Sequence, residues 1–366
     1  MARVELKNVR KSYDHGKTWA VNNVSLEIAD GEFMALLGPS GCGKSSTMRM
    51  IAGLEEISSG EIYFGDQLMN RVQPQDRNVA MVFETYALYP TLNVYENLAF
   101  PLRSAGVKGA DVDKRVREIV EILQCEELLD LKPFNLSSGQ SQLVGLGRAL
   151  MRQPNVFIMD EPISHLDTRL RSRMRSYIKR LHIDLGYTML YVTHDQEEAM
   201  ALADRIAIMD VGNVVQIGTP QEVFHQPTSM YVAGFVGEPP MNFLDCQAEQ
   251  KNGTYQLSYK GYAMPLPEDA AALAQRQAIP RDVVVGIRPF YIDVAGERSD
   301  QHTTPAEVFV VEPMGDTTVI SVNAEDTRLQ IVVDPETPAS SGDKLWLALK
   351  PAHILLFDKQ TGVRLQ

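Results

Sequence analysis

Gly38-Pro39-Ser40-Gly41-Cys42-Gly43-Lys44-Ser45 follows the apolar run at 32–37 and leads into a helix-like stretch at 45–52. Strand before and helix after is the context a phosphate-binding loop requires. The glycines let the backbone turn its N–H groups inward onto a polyphosphate. Lys44 supplies a cation for the β- and γ-phosphates, and Ser45 supplies a hydroxyl for Mg²⁺. The helix opening near Lys44 adds its positive dipole end. Ser40, Gly41, Cys42, Gly43, Lys44, Ser45 and Ser46 are therefore the expected phosphate contacts, and the ligand class is a nucleoside triphosphate.

Bulk properties narrow the setting. A chain of 366 residues has room for two or three domains. With 44 % hydrophobic and 22 % charged residues it can bury a full core. A net charge of −12 without a long basic run removes the electrostatic footprint of nucleic-acid binding. No stretch approaches the roughly 20 apolar residues that span a bilayer. The opening Met-Ala-Arg-Val-Glu-Leu lacks an apolar signal core. The expectation is a chain that is neither exported nor membrane-spanning by itself. Cys42, Cys125 and Cys246 are too few and scattered for a disulfide scaffold or zinc site, which fits a reducing cytoplasm. Cys42 reads as a small filler within the loop.

Short apolar runs at 4–9, 21–28, 32–37 and 78–83 predict strands. Runs at 156–159 and 189–192 suit parallel strands buried on both faces. Val116, Ile119, Val120 and Leu123 share one helical face, which predicts an amphipathic helix over 113–130. Residues from about 85 to 150 therefore read as mainly helical and inserted into an α/β frame. Residues 196–203 predict a further helix, and 205–209 with 214–217 a hairpin. A helical tail runs on to about 237. At Glu238-Pro239-Pro240 the texture changes to short strands at 283–287, 317–322, 329–333, 345–349 and 354–357. The expected organisation is 1–237 as one domain and 238–366 as a small all-β, barrel-like domain.

Val156-Phe157-Ile158-Met159-Asp160-Glu161 is four apolar residues followed by two carboxylates. A buried strand would deliver both to its carboxyl end beside the phosphate loop. Asp160 is then placed for Mg²⁺, and Glu161 for orienting a water in line with the γ-phosphate.

Upstream stands Leu136-Ser137-Ser138-Gly139-Gln140. Here the chain resembles an ATP-binding-cassette (ABC) ATPase, whose signature is L-S-G-G-Q. Tyr13 matches the family's adenine-stacking aromatic, Ser164-His165-Leu166-Asp167 its D-loop, His194 its switch histidine, and Glu84 the position of its Q-loop glutamine. The stretch 86–90 and the extra β domain narrow the resemblance to subunits of the maltose-importer type, which energise uptake of sugars and polyols. The resemblance implies a P-loop NTPase fold, RecA-like with an inserted helical subdomain, plus a C-terminal OB-like domain of TOBE/MOP type. It also implies ATP and Mg²⁺ as cofactors, with Ser45, Glu84 and Asp160 around the metal and Glu161, Lys44 and His194 in catalysis. Ser137, Ser138, Gly139 and Gln140 would cap the nucleotide of a second subunit paired head to tail. Two transmembrane permease subunits and, indirectly, an extracytoplasmic solute-binding protein complete the implied assembly. Its place would be peripheral, on the cytoplasmic face of the cell (inner) membrane.

The departures are specific. Ser138 stands where the signature has glycine, and Gly145 and Gly147 where the family has alanine. Each glycine costs a helix roughly 0.5–1 kcal/mol relative to alanine. Glu84 puts a carboxylate where a neutral amide is usual. These changes leave both a homodimer and pairing with a different ATPase subunit open, and they are the sole support for a degenerate, weakly hydrolysing regulatory cassette. A soluble cassette of DNA repair or translation would bring coiled coils or a basic surface, and none is seen. In the C-terminal domain, Gly286-Ile287-Arg288-Pro289 and Val311-Glu312-Pro313-Met314-Gly315 resemble family stretches, with Phe290 replacing an acidic residue. Such domains hold the dimer together and receive regulatory signals in the family.

Overall fold

A computed structural model describes residues 2–83, 87–164, 166–251, 254–267, 272–274 and 279–366. Among them the strands form four sheets. The central one contains β3 (Phe33–Leu37), β6 (Val79–Val82), β7 (Val156–Asp160), β8 (Met189–Thr193), β9 (Arg205–Asp210) and β10 (Asn213–Gly218). Its order is β10-β9-β3-β8-β7-β6, parallel except for the β9–β10 hairpin. Every residue of β3 and β8 is buried, as uninterrupted apolar runs demand of strands covered on both faces. Against this frame lie α1 (Lys44–Ala52), α5 (Thr168–Leu185) and α6 (Gln196–Leu202). An antiparallel sheet of β1 (Val4–Lys11), β2 (Val21–Ile28), β4 (Ser59–Phe64) and β5 (Gln67–Leu68) has the order β2-β1-β4-β5. Its buried Val4, Leu6, Leu26 and Ile62 share a core with Met48 and Ile51 of α1.

Between β6 and β7 run α2 (Val94–Ser104), α3 (Gly109–Leu123) and α4 (Ser138–Leu150). The apolar stripe of α3 is buried as its period requires. The helix ends earlier than the pattern to 130 suggests. Gln124 turns left-handed at φ 51, and its amide closes onto Val120 and Glu121. A Cβ at Gly147 would come within 2.9 Å of methyls of Leu98 and Leu123, so this glycine lets α2 and α3 approach α4 closely.

The contacts divide the chain into two compact units, 1–220 and 221–366. In the second, β11 (Asn242–Lys251), β12 (Thr254–Tyr259), β13 (Tyr262–Met264), β14 (Asp282–Ile287) and β20 (Leu355–Asp358) form one antiparallel sheet, ordered β13-β12-β11-β14-β20. The other holds β15 (Ile292–Ala295), β16 (Thr304–Pro313), β17 (Thr318–Ala324), β18 (Thr327–Val333) and β19 (Lys344–Leu349), ordered β15-β19-β16-β17-β18. Apolar side chains of both sheets fill one core, where the buried Tyr259 hydroxyl donates to the Ala324 carbonyl at 2.6 Å. The short helices α7 (Pro220–His225) and α8 (Met230–Phe235) precede these strands. The Arg288 guanidinium holds them, donating to the carbonyls of Phe224, Ala233 and Val236.

A second buried arginine fixes the helix behind the phosphate loop. Arg77 donates to the carbonyls of Met50 and Ile51 at the end of α1, and to those of Met69 and Val72, at 2.8–2.9 Å. Arg77→Ala strands four carbonyls, three of them buried. Since hydrogen bonds to charged groups are worth about 1.5–3 kcal/mol each and part of that loss is recovered by water, the variant should lose about 3 kcal/mol or more, read as a lower denaturant midpoint. A loss below about 1 kcal/mol would show that the α1 terminus does not depend on it.

Candidate nucleotide site

In the central sheet β3, β8 and β7 are parallel neighbours, so their carboxyl ends share one edge. Ligands of open parallel sheets bind outside that edge. The phosphate loop leaves β3 there. Gly43 sits at φ 105, and a Cβ at this position would collide with the Ala20 carbonyl. One at Gly38 would strike that of Met209. The Gly212 amide donates to the Cys42 carbonyl at 2.9 Å, tying the loop to the β9–β10 turn. Lys44 is buried, with Nζ donating to the carbonyls of Gly38 (2.7 Å) and Pro39 (3.0 Å), so its charge lies inside the loop's curve. Ser40, Gly41 and Ser45 are exposed and Ser46 is half-buried. Burial raises the Cys42 thiol above its ordinary range, so it stays protonated and serves as packing.

Asp160 is the last residue of β7 and lies beside Val192 of β8 in register. Glu161 comes next, in a left-handed turn at φ 43, its amide donating to the Val192 carbonyl at 2.9 Å. The turn swings its carboxylate toward His194, just beyond β8, and Glu161 Oε1 lies 3.1 Å from His194 Nδ1. Tyr13 is exposed, with its hydroxyl 2.8 Å from Ser46 Oγ and donating to Glu55, which sets the ring beside the phosphate loop. Burial and the Glu55 carboxylate both raise its pKa, which keeps the ring neutral.

The signature segment opens α4. Ser137 is the cap: its hydroxyl accepts from the Gln140 amide, while the Gln140 side chain accepts from the Ser137 amide. Ser138 is exposed at the first helical position, and Gly139 is buried where a Cβ would collide with Leu170 of α5.

Three stretches match family models: 21–164 an ABC transporter model, 237–289 a MalK OB fold domain and 285–357 a TOBE domain. The sn-glycerol-3-phosphate import ATP-binding protein UgpC of Cupriavidus metallidurans is 42 % identical, across 100 % of this chain and 99 % of its own. The trehalose/maltose import ATP-binding protein MalK of Thermococcus litoralis is 44 % identical, across 99 % of both. Among solved structures, a dimer of the ATP-binding cassette MJ0796 in a post-hydrolysis state with ADP and Pi matches at TM-score 0.54 and 31 % identity, covering 59 % of this chain and 98 % of that one. This chain belongs to the ATP-binding subunits of ABC transporters. It is an ATPase with a P-loop fold, and its β-rich C-terminal region is of the OB and TOBE kind.

The cassette thus gathers Lys44, Ser45, Asp160, Glu161, His194 and Tyr13 around one strand edge, with Ser137 to Gln140 at the start of α4. Glu84 and His165 lie outside the described residues. Sequence reading missed Arg171 and Glu198. Arg171 donates to the Ser164 carbonyl (3.1 Å) and pairs with Asp195 (3.1 Å), bridging the D-loop to the residue after His194. Buried Glu198 accepts from Tyr191 and Thr193, both at 2.9 Å, and its Oε1 lies 3.9 Å from Arg171 Nε. Glu197 and Glu198 in the first turn of α6 carry no signal in sequence, because acids are common at helix starts.

Burial raises the Glu198 pKa above the ordinary 4.5, and Arg171 opposes the rise. A carboxyl raised on folding adds stability below its unfolded value and loses it as pH climbs through the folded one. Arg171→Ala raises Glu198 further and widens that window. The stability deficit of the variant should therefore grow as pH rises above the ordinary carboxyl value of 4.5 in denaturant melts. A deficit constant over that range would show that the pair is not coupled.

Proposed function

We propose that this chain is the ATP-hydrolysing subunit of an importer for a sugar, polyol or related small solute. Similarity across its whole length to import ATP-binding proteins supports the solute class. The contact between Glu161 and His194 beside the phosphate loop supports the chemistry. In this reading residues 1–237 act as the cassette and 238–366 as a C-terminal regulatory and dimerisation domain.

Tyr13 would stack on adenine, and residues 40–46 would cradle the phosphates. Glu161 takes the proton of the attacking water, and His194 holds the γ-phosphate in line. The donor set fits Mg²⁺: the Ser45 hydroxyl and Asp160 carboxylate are hard oxygens, joined in this reading by Glu84. Among the described residues there is no cluster of three or more His, Cys, Asp or Glu, which suits an ion carried mainly by phosphate and water. When bound, Mg²⁺ would neutralise charge on the phosphates.

Two subunits would close head to tail, with Ser137 to Gln140 of each on the other's nucleotide. Closure would pull on two membrane permease subunits docked near 84–92, with a solute-binding protein beyond them. Tyr89 and Phe100 are exposed there, their ring centroids 4.6 Å apart. Among the described residues no helix is long and apolar enough to cross a membrane, and we place the subunit peripherally on the cytoplasmic face of the cell membrane. The exposed Ser138 favours a second reading of the dimer, in which a different ATPase subunit supplies an intact signature. Robust cooperative hydrolysis by the lone purified chain would argue for the homodimer.

Loss of a general base costs about 10²–10⁴-fold in rate. Glu161→Gln should bind ATP with near-unchanged affinity while turnover falls by that factor in the assembled transporter. Near-wild-type hydrolysis would sink the mechanism.

A further inference from the structure

Away from the nucleotide site, the second compact unit carries a half-open cavity of about 360 Å³ lined by α7, the segment after β14 and the residues around the C-terminal strand. Its polar lining is Arg288, Arg364, His225, His353, Gln226 and Tyr291, and among the described residues neither Asp nor Glu contributes to it. In a chain of net charge −12, a hollow lined by two arginines without a carboxylate is a marked local inversion of sign.

Arg288 sharpens the point. It is 2 % exposed, and its Nη groups meet neutral backbone carbonyls, with no ion-pair partner among the described residues. Nε is buried without any hydrogen-bond partner. Carbonyl dipoles satisfy donors but leave the unit charge in place. A desolvated charge without a counter-ion is unfavourable, and burial pulls the Arg288 pKa down to about 10. An anion seated in the cavity would supply the missing charge. Position 290, two residues on, is an exposed phenylalanine and offers none.

The rest of the lining narrows the ligand. The His353 ring stacks flat on Tyr291, with centroids 3.5 Å apart and planes 5° apart, giving a flat aromatic wall. Met241, Ile354 and Leu355 add apolar surface for a carbon skeleton. The volume lies at the lower end of the roughly 300–1,000 Å³ of small-molecule sites. Two guanidinium groups beside the neutral donors of the lining suit a dianion with three acceptor oxygens better than a single carboxylate. We propose that this cavity is a binding site for a small phosphate-bearing anion, either free phosphate or a compact sugar phosphate.

The phosphate loop must be filled for the test, so the full chain is titrated calorimetrically in saturating ADP and Mg²⁺. Inorganic phosphate and glucose 6-phosphate are the probes, and glucose is the neutral control. The expected result is one site per chain for at least one anion and none for glucose. Tighter glucose 6-phosphate binding would identify the organic source, and equal binding would identify the phosphate alone. Because Arg288 also holds α7 and α8, the variant used is His353→Ala with Arg364→Gln. It should weaken the anion by about tenfold or more, the worth of one charge-assisted hydrogen bond, and leave ADP affinity unchanged. A second readout needs no variant: the anion should shield His225 and His353, but not His15, which does not line the cavity, from carbethoxylation mapped by mass spectrometry. Absence of anion binding, or binding that neither the double substitution nor the histidine shielding registers, overturns the proposal.

Discussion

The hydrogen bond from the Glu161 amide to the Val192 carbonyl extends the pairing of β7 and β8 one residue past the point where their side chains leave the core. That single contact has two consequences. Glu161 is held in a left-handed turn that an unpaired residue would abandon, since the region costs a non-glycine residue roughly 1 kcal/mol. The residue after the next strand is drawn level with it, so Glu161 and His194 meet at 3.1 Å without any cross-link of their own. The phosphate loop arrives at the same edge because β3 is the other neighbour of β8. Strand order, and not proximity in sequence, assembles residues from 44, 161 and 194.

Arg171 and Glu198 are the support for that edge. The caps of α5 and α6 are the carboxylates of Asp167 and Asp195, so each helix start is fixed locally. Arg171 then joins them by bonding to Asp195 and to the Ser164 carbonyl. The burial of Glu198 is tolerable only because Tyr191 and Thr193 donate to it and Arg171 lies near. A half-satisfied network of this kind couples the D-loop to the position of His194 more tightly than either cap alone.

Much of this was legible from residues whose physics is local. The glycines of 38–43 announce a backbone approach that a Cβ forbids, and the apolar runs at 33–37, 156–159 and 189–192 admit little but buried parallel strands. The OB-like region was legible only in part. Strands β14, β17, β18 and β19 show apolar runs, whereas β11 and β12 are broken by Gln, Glu, Ser and Thr and read as irregular, and the apolar run Val308-Phe309-Val310-Val311 of β16 went unread. Arg77 and Arg171 escaped sequence reading for one reason. An arginine within a polar stretch reads as solvated, and only the fold reveals that its donors close onto carbonyls of other segments. The end of α3 was invisible for a different reason. Gln124 is an ordinary helix former, and nothing in its side chain announces the left-handed turn it adopts.

The signature helix carries the same logic across the molecule. Buried Gln142 of α4 donates to the carbonyl of Pro162, the residue next to Glu161. Gly139 lies flush against Leu170, one residue before Arg171. The start of α4, the D-loop and the strand edge are thus one packed body within a chain. In a head-to-tail dimer the two ends of that body would address different nucleotides, the strand edge its own and the signature its neighbour's. Glu161 and Ser137 are thus joined through Pro162 and Gln142 by chain adjacency and one buried hydrogen bond. The exposed side chain of Ser138 does not touch this linkage, since Ser137 provides the cap and Gly139 the close packing. The departure from the signature therefore alters the surface offered to a neighbour's phosphate while leaving the internal coupling whole.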